Sequence, residues 1–213
     1  MDGGKIKSII NDTRTLYERN IQDRSQLRYI LGLIARWKQN FKYARARRIA
    51  RKQGATIGEG VIMPVSLAKC ANKNLIVGDH TSIHTNNFSS FRFPVKIGSH
   101  VIIGANVRIT VGTHNIDSKD FESCRPNSGL VIEDYVWLCP DSVILPSCSV
   151  IGYGSVVGAN AVVPKNTEPM SVLGGNPAKE LRKRKQVHSD LVVESLLGGD
   201  LKEYIKTRKK KGK

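Results

Sequence analysis

Between residues 97 and 163 aliphatic side chains return every six positions: Ile97, Ile103 and Ile109, then Ile132, Leu138 and Ile144, then Ile151, Val157 and Val163. Small residues, Ser142, Ser149, Ser155 and Ala161, stand two places before Ile144, Ile151, Val157 and Val163. A sandwich strand alternates with period two and turns at variable spacing, so it would not keep aliphatics in step across successive sixes. A six-residue period makes each hexad one short strand and corner of a parallel β-helix, three hexads to a triangular coil. Ile57, Val77 and Ile97 carry the register further at intervals of 20, two residues more than three hexads.

The interruptions are as informative as the repeat. Ile144 to Ile151 is a step of seven, which places a one-residue bulge near Ser147–Cys148. Ile109 to Ile132 spans 23 residues; the hexad opened at Ile109 closes at His114, so residues 115–129 leave the coil as a loop. The chain is therefore expected to be mainly β, a parallel β-helix of about five coils over 55–180, roughly 25 Å long at about 4.8 Å per stacked strand. Residues 1–54 form a helical, basic extension. Within them 24–51 read as an amphipathic helix whose stripe, Leu27, Ile30, Ile34, Trp37 and Phe41, is expected to pack on the first coil and hide its open edges. Residues 181–213 hold a short C-terminal helix at 190–205 and a basic tail at 206–213, expected to be a loose solvated terminus.

The formal charge of +16 sits at the two ends. Residues 1–54 carry 14 Lys/Arg against 4 Asp/Glu, residues 55–180 carry 9 against 10, and residues 181–213 carry 11 against 4. A nearly neutral centre offers nothing to nucleic acid, and none is expected as a partner. The basic ends suit an anionic membrane surface. With no run of about eighteen apolar residues and no leader-like start, the protein is expected in the cytoplasm, peripheral to the inner membrane face. Cys70, Cys124, Cys139 and Cys148 form no CxxC pair and read as structural thiols.

Three stretches carry a resemblance: GTHNID at 112–117, YVWLCPDSVILPSCSVIGYGSVVGANAVVPK at 135–165, and VLGGNPAK at 172–179. On these, the span from Ile57 to about Lys183 resembles the hexapeptide-repeat acetyltransferases of the galactoside, maltose and capsule or lipopolysaccharide type. The resemblance implies a left-handed coil, against the usual right-handed crossover preference. It also implies a homotrimer with active sites between subunits, acetyl-coenzyme A as co-substrate, no metal, and a small-molecule or lipid-linked glycan acceptor.

The same resemblance makes His114 the general base, and an imidazole, with a reference pKa of about 6.5, can accept a hydroxyl proton near neutral pH. A backbone N–H of a neighbouring coil is the expected oxyanion donor. For coenzyme A it points to Trp137, Lys165, and the closing turn Gly174, Gly175, Asn176 and Lys179. The acceptor-binding asparagine of the family falls in IHTNNFSSF, where the ungapped register selects His84 and motif similarity selects Asn86 or Asn87. Asp117 either orients His114 or contacts the acceptor. Transfer to an amino sugar or an antibiotic uses the same base. A zinc hydratase of the γ-carbonic anhydrase kind would need three converging histidines, and His80, His84, His100 and His114 show no spacing that matches it.

Overall fold

In the computed structural model, which describes residues 14–124, 129–188 and 200–209, parallel strands stack into the three faces of a left-handed β-helix. The first face is β1 (Thr56–Ile57), β2 (Leu75–Val77), β4 (Val95–Ile97), β9 (Leu130–Ile132) and β12 (Val150–Ile151). The second is β3 (Ser82–Ile83), β5 (Ile102–Ile103), β10 (Trp137–Leu138), β13 (Val156–Val157) and β15 (Ser171–Gly174), with β16 (Lys179–Lys183) antiparallel at its edge. The third is β6 (Arg108–Ile109), β11 (Val143–Ile144) and β14 (Val162–Val163).

The hexad aliphatics are the inside of this prism. Register aligns Ile57, Val77, Ile97, Ile132 and Ile151 on the first face, and Ile83, Ile103, Leu138, Val157 and Leu173 on the second. Ile109, Ile144 and Val163 align on the third. All are buried. Each such side chain contributes about 1.5–3 kcal/mol relative to exposure, which is how strands of two or three residues hold together without a long ladder. Ser142, Ser155 and Ala161 are fully buried at the small positions, but Ser149 is not. The bulge shifts the phase by one residue, and Cys148 takes the buried place instead. At the corner after β2 the coils nearly touch: a Cβ on Gly78 would lie 2.6 Å from the carbonyl carbon of Gly98 and the nitrogen of Ser99.

Helices close the lower end. Ahead of it, α1 (Leu16–Gln22) begins with a reciprocal Thr15–Glu18 capping box, and α2 (Gln26–Lys52) begins at Ser25. The expected packing of the α2 stripe does not occur: Leu27, Ile30, Ile34, Trp37 and Phe41 are all exposed. Ala46 and Ala50, completely buried, make the contact, because only small side chains let the helix backbone lie close against α3 (Val65–Cys70) and β1. Arginines close the open strand edge. Arg47 donates to the Val61 carbonyl at 2.9 Å, and Arg51 to the Ile57 carbonyl at 2.6 Å. A helical period cannot say which face meets the coil, and here the apolar one does not.

The C-terminal helix, α4 (Leu201–Lys209), returns to the first two helices. Tyr204, wholly buried, stacks on Tyr29 with centroids 5.0 Å apart and lies under the Arg36 guanidinium at 3.8 Å. The Asp200 carboxylate, with no exposed surface, bonds Arg36 Nε at 2.7 Å and accepts from the Tyr17 hydroxyl. The expected loose tail is corrected in part: Lys206–Lys209 form the last turn of α4, where Arg208 donates to the Ile21, Gln22 and Arg24 carbonyls. Of the helix expected over 190–205, residues 190–199 lie outside the described residues.

Candidate active site

His114 does not end the third coil. It belongs to β7 (Thr113–His114), which pairs antiparallel with β8 (Ser123–Cys124) in a hairpin that stands off the prism. The excursion thus begins before residue 115. The hairpin tip is built by polar side chains acting as backbone. Asn115 Oδ1 accepts from the Asp117 amide at 3.1 Å, Ser118 Oγ donates to the Asn115 carbonyl at 3.0 Å, and Glu122 N donates to Ser118 Oγ at 3.0 Å. The NIDS stretch held that Asx-turn signal.

Across this hairpin His114 Nδ1 lies 2.5 Å from the carbonyl oxygen of Phe121. A carbonyl can only accept, so Nδ1 carries a proton, and in the neutral ring the free lone pair is on Nε2. The His114 side chain is exposed, so that lone pair can reach a substrate proton. Phe121 itself has φ +50°, a left-handed conformation uncommon for a bulky residue, and it points its carbonyl back at the ring. No sequence signal identifies Phe121. Asp117 is exposed, and the Nδ1 partner is Phe121 rather than Asp117.

The structure separates the acceptor candidates. His84 follows β3 on the second face, half-buried, with Nε2 2.7 Å from Ser82 Oγ; burial pushes its pKa down. Asn86 and Asn87 are exposed one coil below β6, where the Asn87 carbonyl accepts from Ile109 N at 3.0 Å. Thr85 pins that segment by donating to the Val107 carbonyl at 2.9 Å. Asn87 therefore sits beside the strand that leads into the His114 hairpin, and His84 faces elsewhere.

His84 lines a predominantly apolar cavity of about 580 Å³ with His100, Ile102, Tyr135, Trp137 and Arg184. Trp137, on β10, is 44% exposed. Neither His114 nor Lys165 lines this cavity; Lys165 is exposed beyond β14 at a different corner. Gly174 pairs with Lys179 across the closing turn, where Gly175 adopts φ +92° and the Asn176–Pro177 peptide is cis. That turn rests on β14 through hydrogen bonds from Val162 N to the Gly175 carbonyl and from Ala178 N to the Val162 carbonyl. One chain thus gathers the candidates into separate groups.

Among the described residues no three His, Cys, Asp or Glu side chains converge to hold a metal. His80 and His100 instead stack on one another at 5.3 Å, and His100 on Tyr135 at 4.9 Å. All four cysteines are free, and burial pushes the Cys148 thiol up to about 11.

Solved structures share this architecture. A hexapeptide-repeat acetyltransferase of Vibrio cholerae, crystallised with acetyl-coenzyme A, superposes with a TM-score of 0.56 at 24% identity over 82% of this chain and 93% of its own. A galactoside O-acetyltransferase of Lactococcus lactis is 31% identical over 138 residues, 63% of this chain and 66% of that protein. In fold and sequence the chain is similar to the hexapeptide-repeat acetyltransferases. A protein of Escherichia coli K12 named as a colanic acid biosynthesis acetyltransferase, WcaF, is 29% identical over 73% of this chain and 84% of its own length. Against three further curated acetyltransferases the matched segments span 43%, 31% and 28% of those proteins. No family model matches the chain.

Proposed function

We propose that this protein transfers an acetyl group from acetyl-coenzyme A to a hydroxyl of a sugar in a surface-polysaccharide or lipopolysaccharide precursor, with His114 as the general base. The observation that carries the reading is the His114–Phe121 hydrogen bond, which makes Nδ1 the donor, so that in the neutral ring the lone pair lies on Nε2. The acceptor O–H gives its proton to Nε2 as its oxygen attacks the thioester carbonyl carbon. The tetrahedral oxyanion collapses with cleavage of the C–S bond, and the departing thiolate recovers the proton from the imidazolium to give free coenzyme A. The Phe121 carbonyl stabilises that imidazolium and holds the ring in position through the cycle. Such a base contributes roughly 10²–10⁴-fold.

Acceptor contacts fall to Asn86 and Asn87 beside the hairpin, with His84 and Asp117 as the further candidates, and an oxyanion donor from a backbone N–H. The apolar cavity with Trp137 in its wall suits the pantetheine arm. Lys165, Lys179 and the Gly174–Gly175–Asn176 turn suit the phosphate-bearing end. Because one chain keeps these groups apart, the site is completed by a second copy in a homotrimer. The sugar acceptor is supported by the names of the galactoside and colanic acid relatives, and the cofactor by the acetyl-coenzyme A complex of the Vibrio protein. A lipid-linked acceptor would be met at the cytoplasmic face of the membrane. The experiment is an acceptor screen that follows free thiol release across nucleotide sugars, glycosides, amino sugars and aminoglycosides. Sugar hydroxyl acceptors should turn over, and turnover confined to amines or to antibiotics would replace this reading.

A further inference from the structure

The face of α2 that fails to pack on the protein carries Leu27, Ile30, Leu31, Ile34, Trp37 and Phe41, 69, 44, 58, 49, 63 and 69% exposed. They recur at three- and four-residue steps, so they form one ridge about 21 Å long at 1.5 Å per residue. The same steps continue through Arg45, Arg48 and Lys52, all exposed, so the ridge passes from apolar to basic along its length. Lys38 and Lys42 border its apolar part. The opposite face is fully engaged: Gly32 lies against Tyr204, where a Cβ would stand 2.3 Å from the hydroxyl, while Arg36 holds Asp200 and Ala46 and Ala50 meet the coil. The helix is therefore fixed with its apolar ridge outward.

A second feature adjoins the ridge. Arg19, Arg24 and Arg28 line a cavity of about 520 Å³ at the α1–α2 junction, with Leu31 of the ridge in its wall. Arg19 Nε is buried there with no hydrogen-bond partner among the described residues. Asp23, also on this cavity, is engaged by Arg14 at 3.1 Å. An anion of phosphate size would meet several guanidinium groups there, next to an apolar strip. Apolar ridge, basic continuation and arginine cavity together match the surface of an anionic bilayer, whose headgroup phosphates lie directly above its acyl region. A second copy of this ridge packed in parallel would bring Arg45, Arg48 and Lys52 against like charge.

We infer that α2 is an interfacial docking helix for an anionic phospholipid bilayer, its ridge entering the headgroup boundary and the Arg19–Arg24–Arg28 cavity taking a lipid phosphate. Nothing in this surface depends on the chemistry of His114. The test is co-sedimentation of the full chain with vesicles of phosphatidylcholine alone, or with roughly a third phosphatidylglycerol, at low and high salt. Binding should require the anionic lipid and weaken with salt. The exposed double variant Ile34→Gln, Trp37→Gln should bind at least about tenfold more weakly. Arg28→Gln should bind the anionic vesicles more weakly and with a shallower salt dependence, and both variants should retain wild-type thermal unfolding. Three results would overturn the inference: no binding to anionic vesicles at low salt, binding indifferent to the ridge substitutions, or a ridge variant that dissociates an oligomer in the absence of lipid.

Discussion

His114 and Phe121 face each other across a hairpin, ring nitrogen to carbonyl oxygen at 2.5 Å, with the carbonyl aimed by a backbone at φ +50°. That backbone conformation is open to glycine and closed to proline, which fixes φ near −65°. Phe121→Gly should keep turnover within a few-fold of wild type. Phe121→Pro should misplace the ring and cost about 10²-fold in kcat while leaving the thermal unfolding of the prism nearly unchanged. Steady-state rates of the two variants, compared under saturating acetyl-coenzyme A, check it.

Lys165 is exposed beyond β14. Lys165→Ala should raise the KM for acetyl-coenzyme A by roughly tenfold, the scale of a lost charge-assisted hydrogen bond, with kcat little changed. A Michaelis constant equal to wild type would remove this lysine from the cofactor site.

The close approach at Gly78 sets a packing limit. A methyl group there meets backbone of the next coil at 2.6 Å, and backbone cannot swing aside as a side chain can. Gly78→Ala should destabilise by about 1–3 kcal/mol. Denaturant titration of the variant against wild type measures this, and an unchanged midpoint would contradict the tight corner.

Much of this fold was legible because the hexad is a covalent period: each inward aliphatic has its neighbour a fixed number of residues away, so register follows from counting. The Cys148 substitution for Ser149 inside the prism follows from the same counting once the bulge is allowed its one-residue phase shift. Packing between helix and prism is not periodic in that sense. The α2 stripe was visible, yet the contact was made by Ala46, Ala50 and the edge-capping Arg47 and Arg51, whose selection depends on where the chain enters the first coil. The Phe121 carbonyl illustrates the limit most sharply, since a backbone oxygen carries no residue type.

Burial pushes the His84 pKa below its ordinary value, so the unfolded chain binds that proton more tightly than the folded one. The resulting stability is fully present above the unfolded value of about 6.5 and is lost as pH falls through it toward the folded value. His84→Gln should therefore lose less stability than wild type between about pH 7 and pH 5. Urea midpoints at the two pH values decide it, and parallel losses in both proteins would show that His84 is not responsible.

The base itself is open to the most direct measurement: single-turnover and steady-state acetyl transfer by His114→Ala, with acetyl-coenzyme A binding measured by calorimetry on the same protein. The turnover rate should fall by about 10²–10⁴-fold with every acceptor while the dissociation constant for acetyl-coenzyme A stays within a few-fold of wild type. A variant that transfers acetyl at a near-normal rate would contradict the assignment of proton removal to this imidazole.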